Sequence, residues 1–133
     1  MMNNKEIRWK QRFQNFEKAF LLLQKYVKIV KPNEIERAGI IQFFEMAFEL
    51  SWKLMKDYLE STGFLLQSPR ESIKQAFQTN LIEDGHIWID ALNDRNLTAH
   101  TYDEKLALQI IEVIRKKYYP EMNKFYLLMD SKK

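Results

Sequence analysis

The chain has 133 residues, 46% hydrophobic and 14% aromatic, enough for one domain with a sizeable buried core. With no cysteine and two histidines it has no disulfide framework, no thiolate metal site and too few ligands for a protein-only zinc centre, so no metal and no cofactor are expected. A net charge of +3 tolerates an anionic partner but falls short of a nucleic-acid coat, and no apolar run nears the roughly 18 residues of a membrane span, so the chain reads as cytoplasmic with no membrane contact.

Three glycines and three prolines, all between or near the ends of apolar runs, mark a helical protein. Phe13, Phe16, Phe20, Leu23, Val27 and Val30 recur three and four apart and predict a first helix over about 5–31, ended by Pro32. Asn33 and Glu36 have capping-box spacing for a second helix reaching about Thr62. Its apolar residues, from Ile40 and Ile41 through Phe44 and Phe48 to Leu54, Met55 and Leu59, cover more than one face, which puts it at the centre of the core. Gly63 suits a helix C-terminus at positive φ, and "SPRES" then supplies a Ser68 cap, Pro69 at the first helical position and Glu71 at the third. That opens a shorter helix to about Asn80.

Asp84 and Gly85 begin a fourth helix carrying Ile87, Trp88, Ala91 and Leu92. The pattern breaks near 100–103, where Thr101 and Glu104 offer another capping box. The fifth helix should carry Leu106, Ile110, Val113 and Ile114 and kink or stop near Pro120, leaving a last turn or two in "EMNKFYLLMD". Short connections favour antiparallel neighbours. The expected fold is therefore all-α: an up-and-down antiparallel helical bundle of four main helices plus a short one, with residues 1–133 forming one domain.

The stretch "NDRNLTAHTYDEK" is the chemically dense part of the chain. On this reading His100 lies in the last turn of the fourth helix, where the carbonyl end of the macrodipole favours a protonated imidazole. Asn96 is four residues earlier on the same face, and the long arm of Arg95 can reach round to join them. Such a set has no nucleophile and no metal carboxylates, but it suits a phosphodiester: Arg95 grips non-bridging oxygens, Asn96 helps hold the substrate and His100 moves a proton. RNA supplies its own nucleophile in the 2′-hydroxyl. Acid and base are two groups, and His86 sits at the far end of the same helix, so a homodimer bringing two copies of the motif to one cleft would complete the pair. The plainer reading stays open, in which Arg95 and His100 satisfy terminal carbonyls, Tyr102 is a packing or capping aromatic and His86 is a solvated first-turn residue. Lys5, Arg8, Lys10, Arg12, Arg115, Lys116 and Lys117 read as solvated faces, and Glu45, Glu49 and Lys53 as an exposed ladder or the lining of a polar cleft.

"RNLTAHTY" also fits the R-x-x-x-x-H-x-Y pattern of HEPN domains, and in particular resembles the HepT branch, long described as nucleotidyltransferase substrate-binding proteins. "WKQRFQNFEKAF", "GIIQFFEMAFELSWKLMKDYLESTGF", "SPRESIKQAF" and "LIEDGHIWIDALNDRNLTAHTYDE" resemble that family in order and spacing over about residues 8–119. The resemblance implies a dimeric helical bundle and a separately encoded minimal nucleotidyltransferase as partner. One implied function is a metal-independent ribonuclease toxin in which Arg95 and His100 are catalytic and the partner, as antitoxin, silences it by transferring AMP to Tyr102. The alternative is a non-catalytic substrate-binding subunit of a split nucleotidyltransferase.

Overall fold

The structure is a computed structural model and describes residues 3–95, 99 and 102–133. Helix α1, Asn4–Tyr26, begins where the Asn3 side chain accepts the Glu6 N–H at 2.9 Å. Trp9, Phe13, Phe16, Ala19, Phe20 and Leu23 form its buried stripe, as the spacing requires. The helix stops five residues short of the expected end. Val27 is still buried, but Val30 is 82% exposed and is not part of the stripe. The cause lies far away in the chain: Arg115 donates to the Val27 carbonyl from Nε (2.9 Å) and to the Ile29 carbonyl from Nη2 (2.7 Å), satisfying carbonyls that a longer helix would have paired itself.

Helix α2, Glu34–Ser61, opens on the expected capping box, with Glu36 N–H to Asn33 Oδ1 at 2.8 Å and Asn33 N–H to Glu36 Oε1 at 2.9 Å. Gly63, at φ +109°, closes it. Trp9 meets Tyr58 edge-on at 5.2 Å and Tyr26 stacks on Phe43 at 5.6 Å, so the start of α1 lies beside the end of α2 and the two run antiparallel. The ion pair Arg12–Asp57 (2.9 Å) locks the same register.

Helix α3, Pro69–Gln78, has Ser68 as its cap, and α4, Gly85–Asp94, has Asp84. Helix α5, Glu104–Val113, is capped by Asp103, whose side chain accepts the Leu106 N–H at 3.2 Å, instead of by the expected Thr101/Glu104 box. Asp103 stands directly before the first helical residue, where an acceptor meets the free amides; Thr101 lies outside the described residues. At Pro120 the chain neither stops nor frays. A π-helical turn, Ile114–Tyr118, in which the Tyr119 N–H reaches back to the Ile114 carbonyl, accommodates the proline, and α6 continues over Tyr119–Lys132. The tail expected to be a turn or two is thus a 14-residue helix that buries Met122, Phe125 and Met129.

Phe13 stacks near Tyr126 and Phe20 on Tyr119, so α6 runs antiparallel to α1. Trp88 meets Phe125 while Asp94 meets Tyr118, which makes α4 antiparallel to the α5–α6 rod. The result is the expected all-α, up-and-down bundle, with the short α3 set between α2 and α4. Phe16, Phe20, Phe44, Phe48 and Phe125 are fully buried at its centre, each contributing about 1.5–3 kcal/mol. Among the described residues no helix is long and apolar enough to cross a membrane.

Candidate functional site

Helix α4 ends at Asp94, with Arg95 as its C-cap. Asn93 and Asp94 favour this stop because their short polar side chains compete with helical backbone bonds. His100 was expected in the last turn of this helix; it lies six residues beyond Asp94 and, with Asn96, outside the described residues. Arg95, as the C-cap, puts a cation at the carbonyl end of α4, where the macrodipole favours one.

Among the described residues, two long-range contacts hold that end. Arg95 Nη1 pairs with Glu49 Oε1 of α2 at 2.5 Å, and the other carboxylate oxygen of Glu49 accepts the Trp52 indole N–H at 3.0 Å. Glu49 is therefore turned onto the motif and is not a rung of an exposed ladder; Lys53 stands over the Trp52 ring. The second contact runs from the Tyr118 hydroxyl to Asp94 Oδ2. Tyr118 is buried against Phe44 at 5.5 Å, and burial, reinforced by the Asp94 carboxylate, holds its hydroxyl protonated well above the usual tyrosine range. Neither Asp94 nor Tyr118 stood out in the sequence, since nothing local links positions 24 apart. Arg95 and Glu49 keep about a third and two fifths of their side-chain surface in solvent, so the pair is worth at most about 1 kcal/mol and yields to a stronger anion.

Tyr102 lies just before the Asp103 cap and is 83% exposed. His86 is an exposed first-turn residue of α4, roughly 14 Å along the axis from Arg95 at 1.5 Å per residue. The basic stretches divide. Arg12 and Arg115 are structural, Lys116 pairs with Glu112 at 2.8 Å, and Lys5, Arg8 and Lys117 are exposed. Among the described residues no group of three His, Asp or Glu side chains is placed to hold a metal ion.

Residues 11–131 match the family model described as nucleotidyltransferase substrate binding protein like. A Haemophilus influenzae protein named probable ribonuclease HepT is 33% identical over 78 residues, covering 55% of this chain and 53% of that protein. The chain thus spans about half the length of this curated relative. A solved structure from Thermus thermophilus is 34% identical with a TM-score of 0.76, covering 83% of this chain and 94% of that one. Two more distant structures share the fold. One, from Haemophilus influenzae, is described as revealing the fold of a substrate binding domain of a nucleotidyltransferase (23% identity, TM-score 0.68, 96% and 99% of the two chains). The other is a tri-AMPylated Shewanella oneidensis HEPN toxin in complex with MNT antitoxin (17% identity, TM-score 0.71, 98% and 99%).

Proposed function

This chain belongs to the family described as nucleotidyltransferase substrate binding protein like, and on that premise we propose that it is a HepT-type ribonuclease toxin held in check by a separately encoded nucleotidyltransferase antitoxin. The observation that carries the reading is Arg95: a partly exposed guanidinium at a helix C-terminus, held by a carboxylate that an RNA phosphate can displace. A base, His100 of one copy, takes the proton of the RNA 2′-hydroxyl. The 2′-oxygen then attacks the adjacent phosphorus, and the 5′-oxygen leaves with a proton from His100 of the second copy. The products are a 2′,3′-cyclic phosphate and a 5′-hydroxyl. Arg95 neutralises the phosphorane oxygens and Asn96 helps to hold the strand, with no metal ion required. The homodimer is part of the mechanism because each copy brings one motif histidine.

Control runs through Tyr102, whose exposure gives a docked partner access to its hydroxyl. That oxygen attacks the α-phosphorus of ATP, pyrophosphate leaves, and the AMP on Tyr102 puts bulk and negative charge where the RNA backbone must sit. The Shewanella oneidensis toxin, described as tri-AMPylated and bound to an MNT antitoxin, supports this route.

The test is expression with and without the partner, following growth and RNA integrity. The chain alone should cleave RNA in EDTA, and His100→Ala should lose about 10²- to 10⁴-fold with helical content unchanged. Tyr102→Phe should keep cleaving yet escape silencing. The family's own description favours a second reading, a non-catalytic substrate-binding subunit. If His100→Ala matches the parent, or no cleavage appears without the partner, that reading replaces the ribonuclease.

A further inference from the structure

Beyond the motif, a cavity of about 740 Å³ lies at the opposite end of α4, walled by α3, the first turns of α4 and the start of α6. Its volume falls in the roughly 300–1,000 Å³ range of small-molecule sites. Two features of its lining run against the ordinary distribution of residues. Phe77 of α3 lies on the α4 N-terminus, so close that a Cβ at Gly85 would stand 3.2 Å from its ring, yet the residue is 51% exposed and lines the cavity. Glu121 of α6 is the reverse, a carboxylate only 6% exposed, lining the same cavity as the apolar side chains of Ile73 and Ile89. An exposed aromatic beside a buried charge is the informative pattern in a globular protein.

Glu121 is incompletely satisfied. Its Oε2 is sealed from solvent and accepts no aligned hydrogen bond among the described residues. The Lys124 ammonium stands 3.1 Å away as an ion pair, shared with Glu83 at 2.9 Å, and Lys124 and Glu83 are both largely exposed. Glu83 first and Glu121 second hold the lysine protonated above its usual range, so the spot favours a cation. A flexible surface lysine one turn along the same helix is a replaceable counter-ion, because it keeps Glu83 when it lets go of Glu121. Lys74 and His86 also line the cavity, but an anion placed at Glu121 would have to lie against a buried carboxylate, and the described residues offer no three-ligand metal set.

We propose that this cavity binds a small organic amine: an aromatic or aliphatic body lying against Phe77, Ile73 and Ile89, with its ammonium donating to Glu121 in place of Lys124. The site is distinct from the Arg95 end of α4 and does not depend on the ribonuclease reading.

The probe is 2-phenylethylammonium titrated into the full-length, isotope-labelled protein, with 2-phenylethanol and phenylacetate as matched neutral and anionic controls. Backbone amide shifts should be confined to α3, the first turn of α4 and the start of α6. The amine should bind at least about tenfold more tightly than the alcohol, the value of one charge-assisted hydrogen bond. Glu121→Gln should erase that difference, and Lys124→Met, which removes the competing cation, should tighten the amine. Phenylacetate binding as well as the amine, an absence of shifts at these amides, or a preference unchanged by Glu121→Gln overturns the proposal. Should Glu121→Gln fail to fold, Lys124→Met decides: tighter amine binding sustains the site, and equal or weaker binding rejects it.

Discussion

The two ends of α4 are secured by different means. At the N-terminus the helix is held by its neighbour in sequence, Asp84, whose side chain accepts the amides of His86 at 3.1 Å and Ile87 at 3.3 Å. At the C-terminus it is held by Tyr118 on Asp94 and Glu49 on Arg95, which come from 24 and 46 positions away. A local cap sets where a helix starts whatever surrounds it. A tertiary clamp aims a side chain only once the rest of the bundle is in place, which suits the end that carries the proposed chemistry.

The largest expected effect is that of Trp88→Ala, which should loosen both ends of α4 together, because Trp88 packs on Phe48 and Phe125 and seats the helix in the core. It should cost about 3–5 kcal/mol in chemical denaturation. Trp88→Phe should cost far less, since the buried indole N–H has no hydrogen-bond partner among the described residues to lose. If the two replacements are equally damaging, α4 is not held by ring packing.

Arg95→Ala separates the ends by function. It should lower RNA cleavage about 10²- to 10³-fold with little change in the melting curve, whereas His86→Ala at the other end should leave cleavage intact. Tyr118→Phe tests the clamp itself. Removing a buried hydroxyl bonded to a carboxylate should cost about 1.5 kcal/mol and lower cleavage as Arg95 loses its seat, while Asp84→Ala should cost about 1 kcal/mol, as a lost cap does, and leave cleavage alone. A cleavage assay beside a urea titration distinguishes these outcomes; equal effects on activity would mean the ends are not independent.

The smallest expected effect is on alkaline stability. Tyr126 donates to Glu17 at 2.6 Å, and that bond first, with burial second, pushes its hydroxyl from 10.0 up to about 12. A folded-state value raised above the unfolded one contributes stability that is whole below pH 10 and lost as the pH climbs toward about 12. Tyr118, held higher still, loses stability from the same pH 10 upward and over a wider range, so its contribution remains in a Tyr126 variant. Tyr126→Phe should therefore flatten the loss of stability between pH 10 and 12 in thermal melts, where the parent declines steadily.

Helix periodicity, the Asn33/Glu36 box, the Ser68 and Asp84 caps and the closing role of Gly63 were all legible in the sequence, because each is a relation between residues within a turn or two. The motif residues were legible as chemical types for the same reason. What the chain order alone left open was decided by partners brought close only on folding: Arg115 ending α1 early, the π-helical turn carrying the chain past Pro120 into α6, and Glu49 and Tyr118 closing on the end of α4. Spacing encodes which residues share a helical face, but a hydrogen bond between helices depends on how those faces are rotated and shifted against each other, and that is fixed by the packing of the whole core.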